Sequence, residues 1–126
     1  MKGIADRLLE AAINALNCGD KTKAQELFKK AQAMFDGVGM ADKIHIVDGN
    51  YETYKVALYL IAAKRLGVNL PNRQELVNLI LGLQDRDPSS NRYGGVRTHY
   101  SAPGSPLPGS DTNSETTSLW ILALSP

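Results

Sequence analysis

The sequence has little of what most specialised sites require. It contains a single cysteine, Cys18, so it cannot form an intramolecular disulfide. Its two histidines and Cys18 do not fall in a spacing such as HxxxH or CxxC, which would hold a metal ion. We therefore expect neither a metal site nor a cofactor.

An excess of charge of one sign is also missing. Fourteen Lys and Arg residues face thirteen Asp and Glu residues, and the net charge of +1 provides no electrostatic footprint for nucleic acid or an anionic membrane. The N-terminal stretch MKGIADRLLEAAINAL lacks the continuous apolar run of a signal peptide, and no run approaches membrane-spanning length. The sequence as written predicts a cytoplasmic chain with no nucleic-acid or membrane partner.

What is present is helical periodicity. Apolar residues recur at helical spacing in five stretches, each bounded by a capping or terminating residue. The first stretch ends at Cys18-Gly19, and the second begins after a capping Asp20 and ends at Asp36-Gly37. The other three helices are predicted at Tyr51 to Leu66, Asn72 to Gln84 and Ser114 to Leu124. Between the second and third helices, Ile44, Ile46 and Val47 lie in a connection that we expect to hold at most one helical turn.

The predicted helices differ in how their apolar residues are distributed. The first, second and fourth are amphipathic, whereas the third is apolar all round from Val56 to Ala63 and the fifth from Leu119 onward. A helix that is apolar all round is a buried one. The alternation predicts one all-α domain, residues 1–126, in a partial two-layer arrangement of antiparallel helices.

Two of the helix starts share a pattern. YETYKVALYLIAA aligns with SETTSLWILAL, so that Glu52 matches Glu115 and Thr53 matches Thr116. This indicates an internal repeat. A glutamate in the first turn complements the helix dipole and can accept from free backbone N–H groups, so we expect both glutamates to cap their helices. A capping-box-like pattern also begins the fourth helix at Asn72.

The segment LILGLQDRDPSSNRYGGV joins the end of a helix, Leu83-Gln84, to Gly94-Gly95 through a polar loop. It resembles the repeat of the terpenoid cyclase and protein prenyltransferase alpha/alpha toroids, in which an outer helix ends in Gln, a Gly-containing turn follows, and an inner helix begins with polar residues. The resemblance covers roughly Tyr51 to Leu124. The chain departs from the pattern at Val96, where an aromatic residue is usual.

The resemblance implies more helices than the five predicted here, so the chain would be a fragment of a longer protein or would find its missing neighbours in another subunit. Two activities of those families are not expected. The Asp-Cys-His zinc set of the prenyltransferases has no counterpart, since Cys18 lies far away on a different helix. The acid motif of squalene-type cyclases is absent, because Asp85 and Asp87 lie in a loop.

The long Gly/Pro-rich loop between the fourth and fifth helices is held open by Pro103, Pro106 and Pro108. Loops of this length are usually functional or disordered. One interpretation is that Arg97 or His99 bonds Asp111 or Glu115 and ties the loop over the helix start. The other is a polar ligand site at the mouth of the inner helices, formed by Arg97, His99, Tyr100, Asp111, Asn113 and Glu115.

The pair Glu52 and Glu115 has a second interpretation besides capping. A glycosidase needs two carboxylates about 5 to 10 Å apart, and these two begin the predicted inner helices. In that case Tyr51, Tyr100 and Trp120 would line a groove for the substrate.

Function is therefore predicted only in outline. The leading hypothesis is a non-catalytic helical module, or a fragment of an alpha/alpha-toroid-like protein, acting through contacts with a protein, a polar small molecule or a glycan. The alternative is a glycan-processing enzyme domain with the paired-carboxylate site. Because the fifth helix is apolar on all sides, we also expect a two-fold homodimer with this helix, which carries Trp120, in or beside the interface, or cover from the remainder of a parent chain.

Overall fold

The protein is mostly helical, as the sequence predicts. A computed structural model describes residues 4–43, 45, 49–101, 105–106 and 111–125. In these residues five helices and three short strands are formed. The helices are α1 (Ile4–Asn17), α2 (Lys21–Gln32), α3 (Thr53–Leu66), α4 (Arg73–Leu83) and α5 (Ser114–Leu124). The strands are β1 (Tyr51–Glu52), β2 (His99–Ser101) and β3 (Ser105–Pro106).

Helix α3 is the centre of the core. Ten of its fourteen residues are buried, and it packs against α1, α2 and α5. The prediction of a helix buried on all sides is confirmed for α3. The helix ends at Gly67, which has a φ of 72°, a conformation that glycine adopts without steric cost.

The hairpin of α1 and α2 covers one side of α3. Asp20 caps α2 as expected, since its Oδ1 accepts from the backbone N–H of Lys23 at 3.0 Å. Asn72 does not cap α4: it stands at the N-cap position with φ −99° and ψ 16°, and its side chain makes no capping hydrogen bond. With ψ near 16° the Asn72 backbone is close to helical, whereas N-cap residues typically have a non-helical backbone that directs the side-chain oxygen at the first-turn N–H groups.

A small antiparallel sheet, which the sequence analysis did not predict, joins the start of α3 to the long loop. β2 lies between β1 and β3, with Tyr51 opposite Tyr100 and Glu52 opposite His99. Because Tyr51 and Glu52 pair as a strand, α3 begins at Thr53 rather than at Tyr51.

Tyr100 anchors this sheet in the core. It is fully buried and stacks on Tyr51 with ring centroids 5.1 Å apart, and its hydroxyl donates to the carbonyl of Val38 at 2.7 Å. Gly39 lies against the same rings, where an added Cβ would stand 2.6 Å from the Tyr51 ring. The close approach of backbone and rings therefore requires glycine at this position.

Helix α5 differs from the prediction. Only Thr116, Trp120 and Ala123 are buried, while Ile121 and Leu122 are 64% and 60% exposed. The expectation of a helix buried on all sides is wrong for α5 in the described chain, because α5 packs mainly on α3 and a helix with one principal neighbour buries one face.

Two predicted features lie outside the described residues. These are the turn at Ile44, Ile46 and Val47, and most of the loop centre, including Pro103 and Pro108. Among the helices that the structure describes, none is long and apolar enough to cross a membrane.

Candidate functional site

A cleft of about 540 Å³ opens where α3 and α5 begin. All nine of its lining side chains carry a polar group, although more of the exposed wall area is apolar than polar. It is lined by Glu52, Tyr54, Thr98, His99, Asp111, Thr112, Asn113, Glu115 and Thr116.

Backbone pairing brings these separate segments together. The N–H of Thr53, at the start of α3, donates to the carbonyl of Thr98 at 2.9 Å. The N–H of Thr98 donates in turn to the carbonyl of Asp111 at 2.8 Å, just before α5. The backbone of Thr98 thus connects the starts of the two helices through hydrogen bonds, and Thr98 lines the cleft.

Glu52 is held in the cleft wall by a buried lysine. Its Oε1 lies 3.2 Å from Nζ of Lys55, which also lies 2.7 Å from Oδ2 of Asp42. The Lys55 and Asp42 side chains are each 1% exposed and that of Glu52 is 18% exposed. Glu52 makes no capping hydrogen bond to α3, so the capping interpretation is wrong for this residue. Its backbone belongs to β1, and its carboxylate is engaged by Lys55.

The charge of Asp42 is stabilised in this setting. Burial alone would raise the pKa of Asp42, but the hydrogen bond and positive charge of Lys55 and the N–H of Ala5 lower it below its usual value. The Asp42 carboxylate therefore remains ionised although it is withdrawn from water.

Tyr54 connects the cleft to a second buried acid. Its hydroxyl donates to Oδ2 of Asp6 at 2.8 Å. Burial first, then the hydrogen bond to Asp6 and the charge of Glu52, raise the pKa of Tyr54 far above its usual value. The hydroxyl is therefore always protonated and serves as a donor. Asp6 is fully buried, and its other oxygen, Oδ1, has no partner within the described residues.

The opposite wall is organised by Asp111 and Asn113. Oδ1 of Asp111 accepts two hydrogen bonds, one from the backbone N–H of Thr112 at 2.8 Å and one from Nε of Arg92 at 2.6 Å. These contacts lower the pKa of Asp111, the backbone hydrogen bond contributing most. Asn113 caps α5, because its Oδ1 accepts from the N–H of Thr116 at 2.7 Å.

The loop is thus tied to the start of α5, but by a different side chain from those predicted. The ion pair to Asp111 comes from Arg92 rather than from Arg97 or His99. Arg97 points its guanidinium toward Asp85, with 3.9 Å between Nη2 and Oδ2. Arg97 does contact the turn before α5, but through its backbone, in the bridge with Thr112.

Glu115 stands apart from these contacts. It is exposed at the cleft edge, and it forms no ion pair or hydrogen bond with the described part of the chain. Asn113, and not Glu115, provides the side-chain cap of α5. The Glu115 carboxylate is therefore open to solvent and to a ligand.

Of the six residues predicted for a ligand site, four line the cleft: His99, Asp111, Asn113 and Glu115. Arg97 lies outside it, and Tyr100 belongs to the core. Tyr51 and Trp120, which the enzyme alternative placed in a substrate groove, are 5% and 2% exposed and are core residues.

The predicted ligand site left out the hydroxyl groups of the cleft, those of Tyr54, Thr98, Thr112 and Thr116. Three of these had a signal in the sequence: Thr98 and Thr112 lie in the polar flanks of the long loop, and Thr116 lies in the aligned Glu-Thr pattern. In the described part of the chain, no group of three or more His, Cys, Asp or Glu side chains is placed to hold a metal ion.

Comparison with known protein families, with curated proteins and with solved structures found no match to this chain. The cleft is therefore interpreted from its own chemistry.

Proposed function

We propose that this chain is a helical binding module whose cleft takes a small polyhydroxylated ligand of the glycan class. The observation that carries the proposal is the convergence of four hydroxyl side chains and three carboxylates on one cavity of about 540 Å³. This volume falls in the range of typical small-molecule sites.

The chemistry of the wall favours sugar hydroxyls. A carboxylate accepts strongly from a hydroxyl group, and such charge-assisted hydrogen bonds are stronger than neutral ones. The Tyr54 hydroxyl donates its proton to Asp6 and can accept one from a sugar hydroxyl, and its ring offers part of an aromatic surface, on which apolar faces of a sugar ring pack. Two carboxylates are fixed in advance by Lys55 and Arg92, which reduces the ordering cost of binding.

The toroid-like arrangement is part of the same proposal. Support comes from the motif that carries the resemblance, since Nε2 of Gln84 donates to the carbonyl of Gly94 at 3.1 Å and Gln84 forms a bridge with Val96. The Gln84 residue is thus joined to the Gly94-Gly95 turn by a hydrogen bond at the end of α4. In a toroid, α3 would be an inner helix.

A glycan-processing activity is the second candidate. It is favoured by one observation: Glu52 and Glu115 line the same cleft, and neither provides a side-chain cap for its helix. In this alternative one of them would act as general acid and the other as base or nucleophile.

Glu115→Gln is expected to weaken binding of a neutral oligosaccharide roughly fivefold to tenfold, because a charged acceptor is replaced by a neutral one. Stability should stay within about 0.5 kcal/mol of the parent, since an exposed side chain without partners is changed. Calorimetric titration with a panel of neutral oligosaccharides measures the first effect, and urea unfolding measures the second.

The matched control is Glu75→Gln. Glu75 also lies in the first turn of a helix and is exposed, but it is not part of the cleft. Equal affinities for both variants would contradict the placement of the ligand. If the oligosaccharides bind but release no reducing ends on incubation, the enzyme alternative is rejected and the binding module stands.

Self-association is proposed as well, through the exposed apolar face of α5. In α5, Ile121, Leu122 and Leu124 are between 39% and 64% exposed, and Leu81 of the neighbouring α4 is 38% exposed. Covering each such side chain gains roughly 1.5 to 3 kcal/mol at most. We expect a homodimer in light scattering, converted to folded monomer by Ile121→Glu. Trp120 is not the contact residue first expected, because its ring is already buried within the chain. A monomeric parent protein at high micromolar concentration would reject the dimer.

A further inference from the structure

A second cavity, of about 310 Å³, lies at the opposite end of α3 and α5 from the cleft. It is lined by Leu60, Ala63, Lys64, Val68, Leu70, Arg73 and Ser125. The cleft opens where α3 and α5 begin, whereas this cavity lies where those two helices end and α4 begins. The two sites share no lining residue, so the second one is independent of the proposed function.

The floor of this cavity is apolar and is held by the turn between α3 and α4. Leu60, Ala63 and Leu70 are buried and Val68 is half-buried. The N–H of Val68 donates to the carbonyl of Ala63 at 2.8 Å, and the N–H of Arg73 donates to the carbonyl of Leu70 at 3.2 Å. These hydrogen bonds fix the turn, so the floor is formed before a ligand binds.

Two cations lie at the rim of the cavity. Lys64 and Arg73 are exposed, and none of the seven described lining residues is acidic. Within the described ranges, neither side chain forms an ion pair with an Asp or Glu. Nζ of Lys64 donates to the carbonyl of Ser125. This acceptor is neutral, so it leaves the charge of Lys64 and two of its N–H groups available.

The two rim cations also lack acidic neighbours on their own helices. The positions three and four residues before and after Lys64 and Arg73 hold no Asp or Glu, and those are the positions at which helical ion pairs form. The helix dipole favours Lys64 in the last turn of α3 but disfavours Arg73 in the first turn of α4. Helix stability therefore accounts for Lys64 and gives no reason for Arg73.

We infer that this cavity binds an aliphatic carboxylate. The chain of the ligand lies on the apolar floor, and its head group lies between Lys64 and Arg73. The planar guanidinium of Arg73 matches the two oxygens of a carboxylate in a bidentate hydrogen bond. Removal of the chain from water supplies the hydrophobic part of the binding free energy.

The test uses the full isotope-labelled chain and three probes, titrated by NMR at about pH 7, where a carboxylate is ionised. Octanoate has both features of the ligand, octanamide has the same chain without the charge, and acetate has the charge without the chain. At about 50 mM salt, where charge attraction is weakly screened, we expect octanoate to bind at least fivefold more tightly than octanamide. We expect a margin of at least about tenfold over acetate. The backbone amide signals of Val68, Leu70 and Arg73 should shift with octanoate.

Substitutions assign the binding to the rim of this cavity. Arg73→Gln should weaken octanoate binding at least fivefold, to about the level of octanamide. Arg86→Gln is the matched control, because Arg86 is also exposed but does not line the cavity. It should leave the affinity within about twofold. Glu115→Gln, which changes the cleft, should also leave it within about twofold. Equal losses for Arg73→Gln and Arg86→Gln would overturn the inference, since the anion would then be attracted by surface charge in general.

Four other outcomes are decisive against the inference. Equal affinity for octanoate and octanamide removes the role of the rim cations, and equal affinity for octanoate and acetate removes that of the apolar floor. Octanoate binding without shifts at Val68, Leu70 and Arg73 places the ligand elsewhere. Tighter binding of octyl phosphate than of octanoate overturns the assignment of the head group. Each of these failures leaves the cleft proposal intact, because that proposal is tested with neutral oligosaccharides.

Discussion

Lys55→Met is expected to destabilise the fold by about 3 to 5 kcal/mol at neutral pH. Lys55 lies 2.7 Å from Asp42 and 3.2 Å from Glu52, and its side chain is 1% exposed. Removing one member of a buried ion pair leaves the other charge without compensation in a medium of low polarity. For a domain whose total stability is about 5 to 15 kcal/mol, such a loss is severe.

The loss should depend on pH in a specific direction. In the parent protein the pKa of Asp42 is lowered relative to the unfolded chain, so its contribution to stability is present above about pH 4 and is lost as the pH falls further. In Lys55→Met, burial without a cation raises the pKa of Asp42 instead. The variant therefore gains stability as the pH falls toward about 4, and its deficit against the parent narrows.

Urea unfolding followed by circular dichroism at several pH values measures both effects. The control is Lys30→Met, which removes the exposed pair of Lys30 and Glu26, 4.0 Å apart. Such a pair contributes about 0.3 to 0.5 kcal/mol. A deficit for Lys55→Met that is below about 1 kcal/mol, or that is independent of pH, would contradict the buried pair.

Trp120→Ala is expected to lose about 3 to 5 kcal/mol by leaving a large cavity in the core. The Trp120 ring is 2% exposed and, together with Ile80 and Val96, lines a small groove of about 150 Å³. The cost arises because the neighbours of a lost indole relax only in part. Trp120→Glu should unfold the chain, since it would bury a charge without a partner.

Leu122→Ala is the control for Trp120→Ala on the same helix. Leu122 is 60% exposed, so in the monomer its truncation should cost less than about 0.5 kcal/mol. The two variants are compared by thermal and urea unfolding at a low protein concentration, where association contributes least. Similar losses for both would show that α5 does not pack with Trp120 inward.

Much of the helical framework was predictable because it is encoded locally. The start and end of α5 agree with the prediction, the cap by Asp20 is confirmed, and α3 is buried as its apolar run indicates. Each of these features depends on residues within a few positions of one another along the chain, where spacing and capping chemistry act directly.

The site was predictable only in part. Four of the predicted ligand residues and Glu52 line one cleft, because polar residues at helix starts gather where those starts meet. The role of Tyr54 could not be read from the sequence, since its partner Asp6 lies 48 positions away. The partner of Asp111 was likewise assigned to the wrong arginine.

The sequence alone therefore determined which five stretches form helices, that α3 is apolar on every side, and that polar residues concentrate at the starts of α3 and α5. Only the tertiary structure decided that Glu52 belongs to a strand opposite His99, that Tyr100 is a core residue, and that α5 exposes Ile121 and Leu122. The physical reason is one of distance along the chain. Helical periodicity reports on a residue's own element, whereas strand pairing, buried ion pairs and exposure depend on which distant segment packs against it.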